Sequence, residues 1–115
     1  MQYLLALYVD ESAWTTMTKE QQEQGTAAYI AYTEALKAAG ALKNSNRLQP
    51  SASATTLRTK NGKTQILDGP FADSKEQLAG YYLIDVPDLD AAIAWAGRCP
   101  AVGHGIVEVR AIWGM

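Results

Sequence analysis

Short apolar runs of strand length alternate along the chain with longer segments whose apolar residues recur at helical spacing. The first run extends from Tyr3 to Val9 and ends at Asp10-Glu11-Ser12. A continuous run of this length predicts a central strand. Ala79 to Val86 forms a second run of the same kind. Both runs are apolar in either register, so the two faces of the predicted sheet both need a cover.

Two segments carry the spacing and the end signals of amphipathic helices. Thr18 is followed three residues later by Gln21, a capping-box pattern, and this helix is predicted to continue until Gly40. The second helix is predicted to begin at Pro87-Asp88 and to end at Gly97. The apolar positions that define the two helices are Ala28, Ala31, Tyr32, Ala35, Leu36 and Ala39 in the first, and Leu89, Ala92, Ile93 and Ala96 in the second.

The remaining strands are marked by turn residues and by alternation. Thr55 to Lys60 and Lys63 to Asp68 flank Asn61-Gly62, a pair that favours a type I′ hairpin turn. Ala41 to Gln49 predicts a short irregular strand, and Ile106 to Trp113 predicts the last strand. The last strand alternates between two faces, with Val107, Val109, Ala111 and Trp113 on one and Ile106, Glu108, Arg110 and Ile112 on the other.

The order of these elements predicts an α+β fold with a ferredoxin-like split β-α-β arrangement and an antiparallel sheet. Both helices then cover one face of the sheet. Because the other face is also apolar, we expect a homodimer whose two sheets pack face to face around a cleft or barrel-like interior.

Composition narrows the class of protein. The 115 residues predict a single domain, 1–115, with a net charge of −2 and no basic stripe for nucleic acid. The single cysteine, Cys99, fits a reducing compartment. No positive residue precedes the first apolar run, which is too short for a membrane span. We therefore expect a cytoplasmic protein without direct contacts to nucleic acid or membrane.

The stretch DGPFADSKEQLAGYY, residues 68–82, resembles the signature of DGPF-domain proteins, a branch of the YciI-related superfamily. The likeness also includes MQYLLALYVDESAW, LQPSASATTLR, DLDAAIAWAGRCP and HGIVEVRAIW. The resemblance implies a dimeric α/β-barrel of ferredoxin-like protomers and an uncharacterised function. Relatives fused to, or encoded beside, sigma-70-type transcription factors imply an accessory role in sigma-factor-linked regulation.

The resemblance to the YciI branch also implies an enzymatic histidine on the first helix and an aspartate before the proline that follows the second. These positions fall on Tyr29 and Cys99. Their unperturbed pKa values, ~10 for tyrosine and ~8.5 for cysteine, make neither a ready acid or base at neutral pH. Any activity in this chain must therefore use other groups.

Asp68-Gly69-Pro70-Phe71 admits a structural and a functional interpretation. In the first, Asp68 accepts a backbone N–H in an Asx turn, and Gly69 is held extended before Pro70. In the second, Pro70 fixes the turn, Phe71 anchors it in the apolar interior, and Asp68 faces the cleft as a base or acceptor. The two interpretations are compatible.

Other candidate groups lie near the last two strands. His104, the only histidine, stands between two glycines and is either solvated or a proton-transfer group. Arg110 either pairs with Glu108 or holds a ligand carboxylate. Tyr81 and Tyr82 face opposite sides of their strand, and Tyr82 is taken as the ligand-binding one.

Several kinds of site are not expected. One histidine and one cysteine cannot supply a tetrahedral zinc site within a protomer, so no metal is predicted. The chain has no glycine-rich phosphate loop, G-x-S-x-G or H-E-x-x-H motif, so no cofactor is predicted either. Ser74 with Gln77 repeats the capping-box spacing and predicts a solvated helical turn.

These features lead to two main hypotheses. The first is a homodimer that binds a small molecule in the cleft between sheets, through Asp68, Gly69, Pro70, Phe71, Tyr82 and Arg110, with an accessory role in sigma-factor-linked transcription. The alternative is a cofactor-independent lyase or isomerase with Asp68 as base and His104 as acid. A purely structural partner domain is a third possibility.

Overall fold

The protein folds into a mixed α+β structure with one face of its main sheet covered by helices. The computed structural model describes residues 1–114. The elements are, in chain order, β1 (Gln2–Val9), α1 (Glu11–Thr16), α2 (Lys19–Ala38), β2 (Leu42–Arg47), β3 (Thr55–Lys60), β4 (Lys63–Asp68), β5 (Gln77–Asp85), α3 (Leu89–Arg98) and β6 (Gly105–Ala111). Short 3₁₀ turns occur at Ser51–Ser53 and Pro100–Gly103.

The main sheet has four antiparallel strands in the order β2-β5-β1-β6. This order is that of the ferredoxin-like arrangement, as predicted. The hairpin β3-β4 is not part of it and forms a separate two-stranded sheet. The segment predicted only as a short irregular strand, 41–49, supplies the edge strand β2, and the hairpin is inserted between β2 and β5.

The core lies between the sheet and the two longer helices. Leu5 and Ile84 on the sheet and Leu36 on α2 are fully buried, and each apolar side chain of this size stabilises the fold by roughly 1.5–3 kcal/mol. The capping box predicted for α2 is confirmed, since Thr18 Oγ1 accepts from the Gln21 backbone N–H. The Gln21 side chain accepts in return from the Thr18 N–H.

Two local predictions are wrong, and one short helix was not predicted. Asp10 does not merely end β1, because it also caps α1, a helix that was not predicted. The Ser74–Gln77 spacing forms no helical turn, since the Gln77 side chain donates to the Ala72 and Ser74 carbonyls and the residue begins β5. The last strand ends at Ala111, so Trp113 lies beyond it and is 89% exposed.

The face of the main sheet opposite the helices carries no other layer within residues 1–114, and the molecule measures only 17 Å in its thinnest direction. Strand register assigns side chains to this face, because neighbouring residues on a strand alternate between faces. We call it the open face, and its residues are Leu4, Ala6, Tyr8, Leu78, Tyr81, Leu83, Ile106, Glu108 and Arg110. Among the helices of residues 1–114, none has the length and apolarity needed to cross a bilayer.

Candidate functional site

A groove runs along the open face toward the Gly-Pro turn. One part, of ≈ 380 Å³, has an apolar floor of Leu4 and Ala6 beside Glu108 and Arg110. A second part, of ≈ 480 Å³, lies between the 48–54 loop and the 70–72 turn. Tyr8 and Leu78 line both parts, so we describe them together as the open-face groove. An apolar cleft with a few convergent polar groups is the usual form of a small-molecule site.

Tyr81 supplies the groove with an oriented hydroxyl group. The register of β5 places Tyr81 opposite Ala6 on the open face. The amide nitrogen of Asn46 on β2 donates to the Tyr81 hydroxyl oxygen over 2.8 Å, and that of Asn44 approaches it to 3.4 Å. Since the oxygen already accepts from Asn46, the phenolic O–H is free to donate to a molecule lying in the groove.

Arg110 supplies the positive charge of the groove. It forms an ion pair with Glu108, its neighbour on the same face of β6. The predicted ion pair is therefore present. The Arg110 side chain nevertheless remains 75% exposed, and a guanidinium has five donors, so it can keep this pair and still bind an anionic group.

The Gly-Pro turn owes its shape to Gly69. Its φ of +104° lies in the region that favours glycine, so the expectation of ordinary extended backbone is wrong. Its N–H donates to the Ala54 carbonyl over 2.6 Å, and its own carbonyl accepts from the Thr56 hydroxyl over 2.8 Å. The Gly69 N–H is thus bonded to a backbone carbonyl. Because Pro70 has no N–H and the Gly69 N–H donates to Ala54, the Asp68 carboxylate forms no Asx turn with either residue.

Pro70 and Phe71 line the second part of the groove, beside the Gly-Pro turn. Phe71 is 81% exposed, so within one protomer it is not anchored in an apolar interior as predicted. Asp68 ends β4 and is also exposed. The structure therefore places Arg110 in the first part of the groove and Pro70 and Phe71 in the second, with Asp68 and Gly69 at the turn beside it.

Tyr82 lies on the opposite side of the sheet from the groove. It is buried beneath the helices, where its hydroxyl shares a hydrogen bond of 2.9 Å with the Thr33 hydroxyl. Its ring packs edge to face with that of Tyr32 at 5.1 Å between centroids. Burial raises the pKa of Tyr82. Of the two adjacent tyrosines, the structure places Tyr81 in the groove and Tyr82 in the core.

His104 is not among the residues that line the groove. It follows the Pro100–Gly103 turn, and its Nε2 lies 3.4 Å from the Tyr29 hydroxyl of α2, with the two rings edge to face. No hydrogen bond or ion pair joins Asp68 to His104 within residues 1–114. The two proposed catalytic groups are thus not paired within one protomer, and the neighbour of His104 is Tyr29.

Of the two positions implied by the YciI resemblance, Cys99 is buried and Tyr29 is half-buried, and partial or full removal from water favours the neutral form of each. Burial raises the pKa of Tyr29 to about 12. Burial is also the main cause that raises the pKa of the Cys99 thiol. Both directions agree with the expectation that neither is a ready base at neutral pH. Within the described 1–114 range, no cluster of three or more His, Cys, Asp or Glu side chains is arranged to hold a metal ion.

The sequence did not identify Tyr8, Tyr81 and Asn46 as groove residues. Ala79 to Val86 is apolar in both registers, so nothing in its pattern distinguishes Tyr81 from Tyr82. A bulge between Leu7 and Tyr8 further shifts the pairing of β1 with β5. The Tyr-Tyr pair itself was the available signal, since one member of such a pair must face each side of a strand.

Comparison with known proteins places the chain in a family. The YCII-related domain matches residues 1–115, the whole chain. The chain belongs to the YCII-related domain family. An uncharacterised protein of Rhizobium meliloti (strain 1021) is 42% identical to this YCII-related protein over 96 residues, which are 84% of this chain and 77% of the relative.

A solved structure shares the fold of this YCII-related protein. It is the 5-chloro-2-hydroxyhydroquinone dehydrochlorinase from Burkholderia phenoliruptrix AC1100, in complex with 2,5-dihydroxybenzoquinone. The superposition has a TM-score of 0.57 and covers 98% of this chain and 94% of the dehydrochlorinase. At 16% sequence identity, this likeness establishes the fold alone.

Proposed function

We propose that this YCII-related protein is a homodimer that binds a small planar molecule carrying hydroxyl or carboxylate groups in the open-face groove. The observation that carries the proposal is the groove itself, an apolar floor flanked by the Tyr81 hydroxyl and the Arg110 guanidinium. The floor suits the face of an aromatic or quinonoid ring. The hydroxyl and the guanidinium suit the polar groups at its edge.

The homodimer is supported by the one-sided construction of the protomer. The open face exposes Leu78, Ile106 and the Glu108–Arg110 pair, and the groove is shallow without a cover. Exposed apolar patches beyond a few hundred Å² are rare on monomeric soluble proteins and mark interaction sites. A second sheet packed over this face encloses the groove and removes its floor from water.

The class of ligand is supported by the fold comparison. The dehydrochlorinase of the same fold was solved with a hydroxylated quinone. Such a molecule combines a flat ring with polar edges, as the open-face groove requires. It is therefore the first probe to use with this protein.

The test is titration calorimetry with 2,5-dihydroxybenzoquinone. We expect binding by the wild type, and a roughly tenfold or larger loss of affinity in Arg110→Ala, since a charge-assisted hydrogen bond contributes about 1.5–3 kcal/mol. Lys37→Ala removes a cation from the outer side of α2 and serves as the control. Absence of binding, or equal affinity in both variants, would contradict the proposal.

A second function is favoured by the contact between Tyr29 and His104. We propose for it a cofactor-independent lyase or isomerase in which His104 takes a proton from the substrate and Tyr29, which stays protonated, donates a hydrogen bond. Turnover of a chlorinated hydroxyhydroquinone, measured as chloride release, is then expected to fall ~10²-fold in His104→Gln. Unchanged turnover in His104→Gln would exclude this role.

The accessory role in sigma-factor-linked transcription is proposed from the family resemblance alone. We expect the tagged protein to retain a purified sigma-70-type factor on an affinity column. Retention that does not exceed that of an unrelated protein of the same net charge would exclude this role.

A further inference from the structure

The hairpin β3-β4 is an arm that packs against little of its own protomer. We define the arm as residues 55–68. Its strands pair only with each other, and every residue except Thr56 is exposed. Leu57 and Ile66 are cross-strand partners that expose 60% and 69% of their surface.

An arm of this kind needs a cover. An isolated two-stranded hairpin is marginally stable at best in water, even with a favourable turn. The turn here is favourable, since Asn61 and Gly62 have φ values of +53° and +76°, as a type I′ turn requires. The turn therefore fixes the pairing register of the two strands but does not make the hairpin stable. Packing of an apolar face of the arm must supply the rest of its stability.

The two faces of the arm differ in chemistry. Cross-strand partners share a face, so one face carries Leu57 and Ile66 among threonines and Asp68, and the other carries Thr56 and Leu67 with the basic residues. Thr56 lines the open-face groove of its own protomer. The Leu57–Ile66 face is therefore the one whose two large apolar residues are exposed over most of their surface.

The difference in net charge between the arm and the rest of the chain favours the approach of a second copy, although the three cations of the arm lie on the face opposite Leu57 and Ile66. The arm contains three cations, Arg58, Lys60 and Lys63, and one carboxylate, Asp68, whereas the rest of the chain has a net charge of −4. A positive arm is attracted to the negative body of another copy of the same chain. The same attraction acts in both directions across a two-fold axis.

The apolar area available also matches a dimer. Phe71 alone exposes 81% of its surface, which is roughly 150 Å² since an aromatic side chain buries about 150–250 Å² when covered. Leu57, Ile66, Leu78, Ile106 and Ile112 each expose between 41% and 69%. Together they supply much of the ~800 Å² per partner of a standard stable interface.

We propose that each arm crosses onto the open face of the partner copy, where its Leu57–Ile66 face closes the open-face groove. Each binding site is then complete only in the dimer, because its floor comes from one protomer and part of its cover from the other. This inference rests on the proposed homodimer but not on its ligand.

The test is cross-linking, in mixed dimers, between two variants that each carry one added cysteine. Ile66→Cys on the arm, carrying an affinity tag, is mixed with untagged Leu78→Cys on the open face and treated with a flexible bis-maleimide. Leu89→Cys on α3 is the matched control, because Leu89 and Leu78 are similarly exposed, at 50% and 44%. The native Cys99 is buried and does not compete.

We expect the tagged Ile66→Cys chain to cross-link to Leu78→Cys at least tenfold more than to Leu89→Cys. Equal cross-linking to both positions in a stable dimer would overturn arm exchange while leaving the homodimer. A monomer by light scattering at cross-linking concentrations would overturn both. Selective cross-linking without binding of 2,5-dihydroxybenzoquinone would leave arm exchange standing and refute only the proposed ligand.

Discussion

Tyr81 and Tyr82 are adjacent in sequence and occupy opposite environments. Tyr82 is buried under α2 and bonded to Thr33, whereas Tyr81 accepts from Asn46 at the open-face groove. The difference arises only from strand alternation. One residue therefore stabilises the fold, while the other is available for a ligand.

Replacing each tyrosine by phenylalanine separates these roles. Tyr82→Phe is expected to lower the free energy of unfolding by about 1 kcal/mol, because a buried hydrogen bond is lost and its partner remains desolvated. Tyr81→Phe is expected to change it by less than about 0.5 kcal/mol, as for other partly exposed positions. Urea denaturation followed by circular dichroism measures both. Equal losses would contradict the assignment of Tyr82 to the core.

Because of Tyr29, the free energy of unfolding is expected to vary with pH in the alkaline range. Its pKa is raised from 10.0 to about 12 by burial, so between these values the unfolded chain has lost a proton that the folded chain keeps. The stabilisation is complete below pH 10 and is lost as the pH rises toward 12.

We therefore expect the free energy of unfolding to decline between pH 10 and 12, and to decline less steeply in Tyr29→Phe. Denaturation at a series of pH values gives the slope. Tyr32 and Tyr82, whose pKa values burial also raises, contribute in the same direction, so some decline persists in the variant. If Tyr29→Phe leaves this slope unchanged, the Tyr29 hydroxyl is as solvated in the folded protein as in the unfolded chain.

The sequence predicted a helix correctly where two signals agreed, namely a capping-box spacing and a periodic apolar segment after it. Thr18 with Gln21 preceded a long periodic segment, and α2 begins there. Ser74 with Gln77 had the same spacing but no periodic segment after it, and it begins a strand instead. Helix α1 is only six residues long, too short to carry a period, and was missed. Spacing predicts a helix only when the apolar face that packs it follows.

The effect on stability of replacing a glycine within a helix or strand depends on the atoms that surround it. A Cβ at Gly80 on β5 would stand 2.7 Å from the Asn46 carbonyl oxygen of β2, whereas a Cβ at Gly97 on α3 meets nothing within 4 Å. Gly80→Ala is expected to destabilise the fold by about 1–3 kcal/mol through the forced separation of two strands. Gly97→Ala is expected to stabilise it by up to about 1 kcal/mol.

Thermal unfolding distinguishes the two glycine variants. The melting temperature is expected to fall in Gly80→Ala and to remain or rise in Gly97→Ala. If Gly80→Ala melts at the wild-type temperature, β2 and β5 do not approach as closely as the structure indicates.

At the scale of the whole molecule, the sequence predicted which surfaces need a cover, because these surfaces are apolar. An apolar run in both registers indicated a sheet with a second face to cover, and the open face is that face. The separate position of the arm was not predictable, because an alternating strand pattern does not specify which strand is its partner. For the same reason the sequence could not say that Asp68 lies on the arm, apart from His104 beside α2.

Dimerisation through the open face can be tested with two residues of equal exposure. Ile106 on the open face and Ile93 on α3 are both 51% exposed in the protomer. A lysine at either position should therefore affect folding of the protomer equally. In a dimer formed through the open face, only Ile106→Lys places an ammonium group in the interface, where Glu108 is already paired with Arg110 and removal of the charge from water is strongly unfavourable.

We expect light scattering to give a dimer for the wild type and for Ile93→Lys, and at least a tenfold weaker dimer for Ile106→Lys. Circular dichroism should show both variants folded to the same extent. A dimer in which Ile93→Lys dissociates instead would place the interface on the helices. The open-face groove would then remain exposed in the assembled protein, and any ligand would have to bind without a cover from the partner.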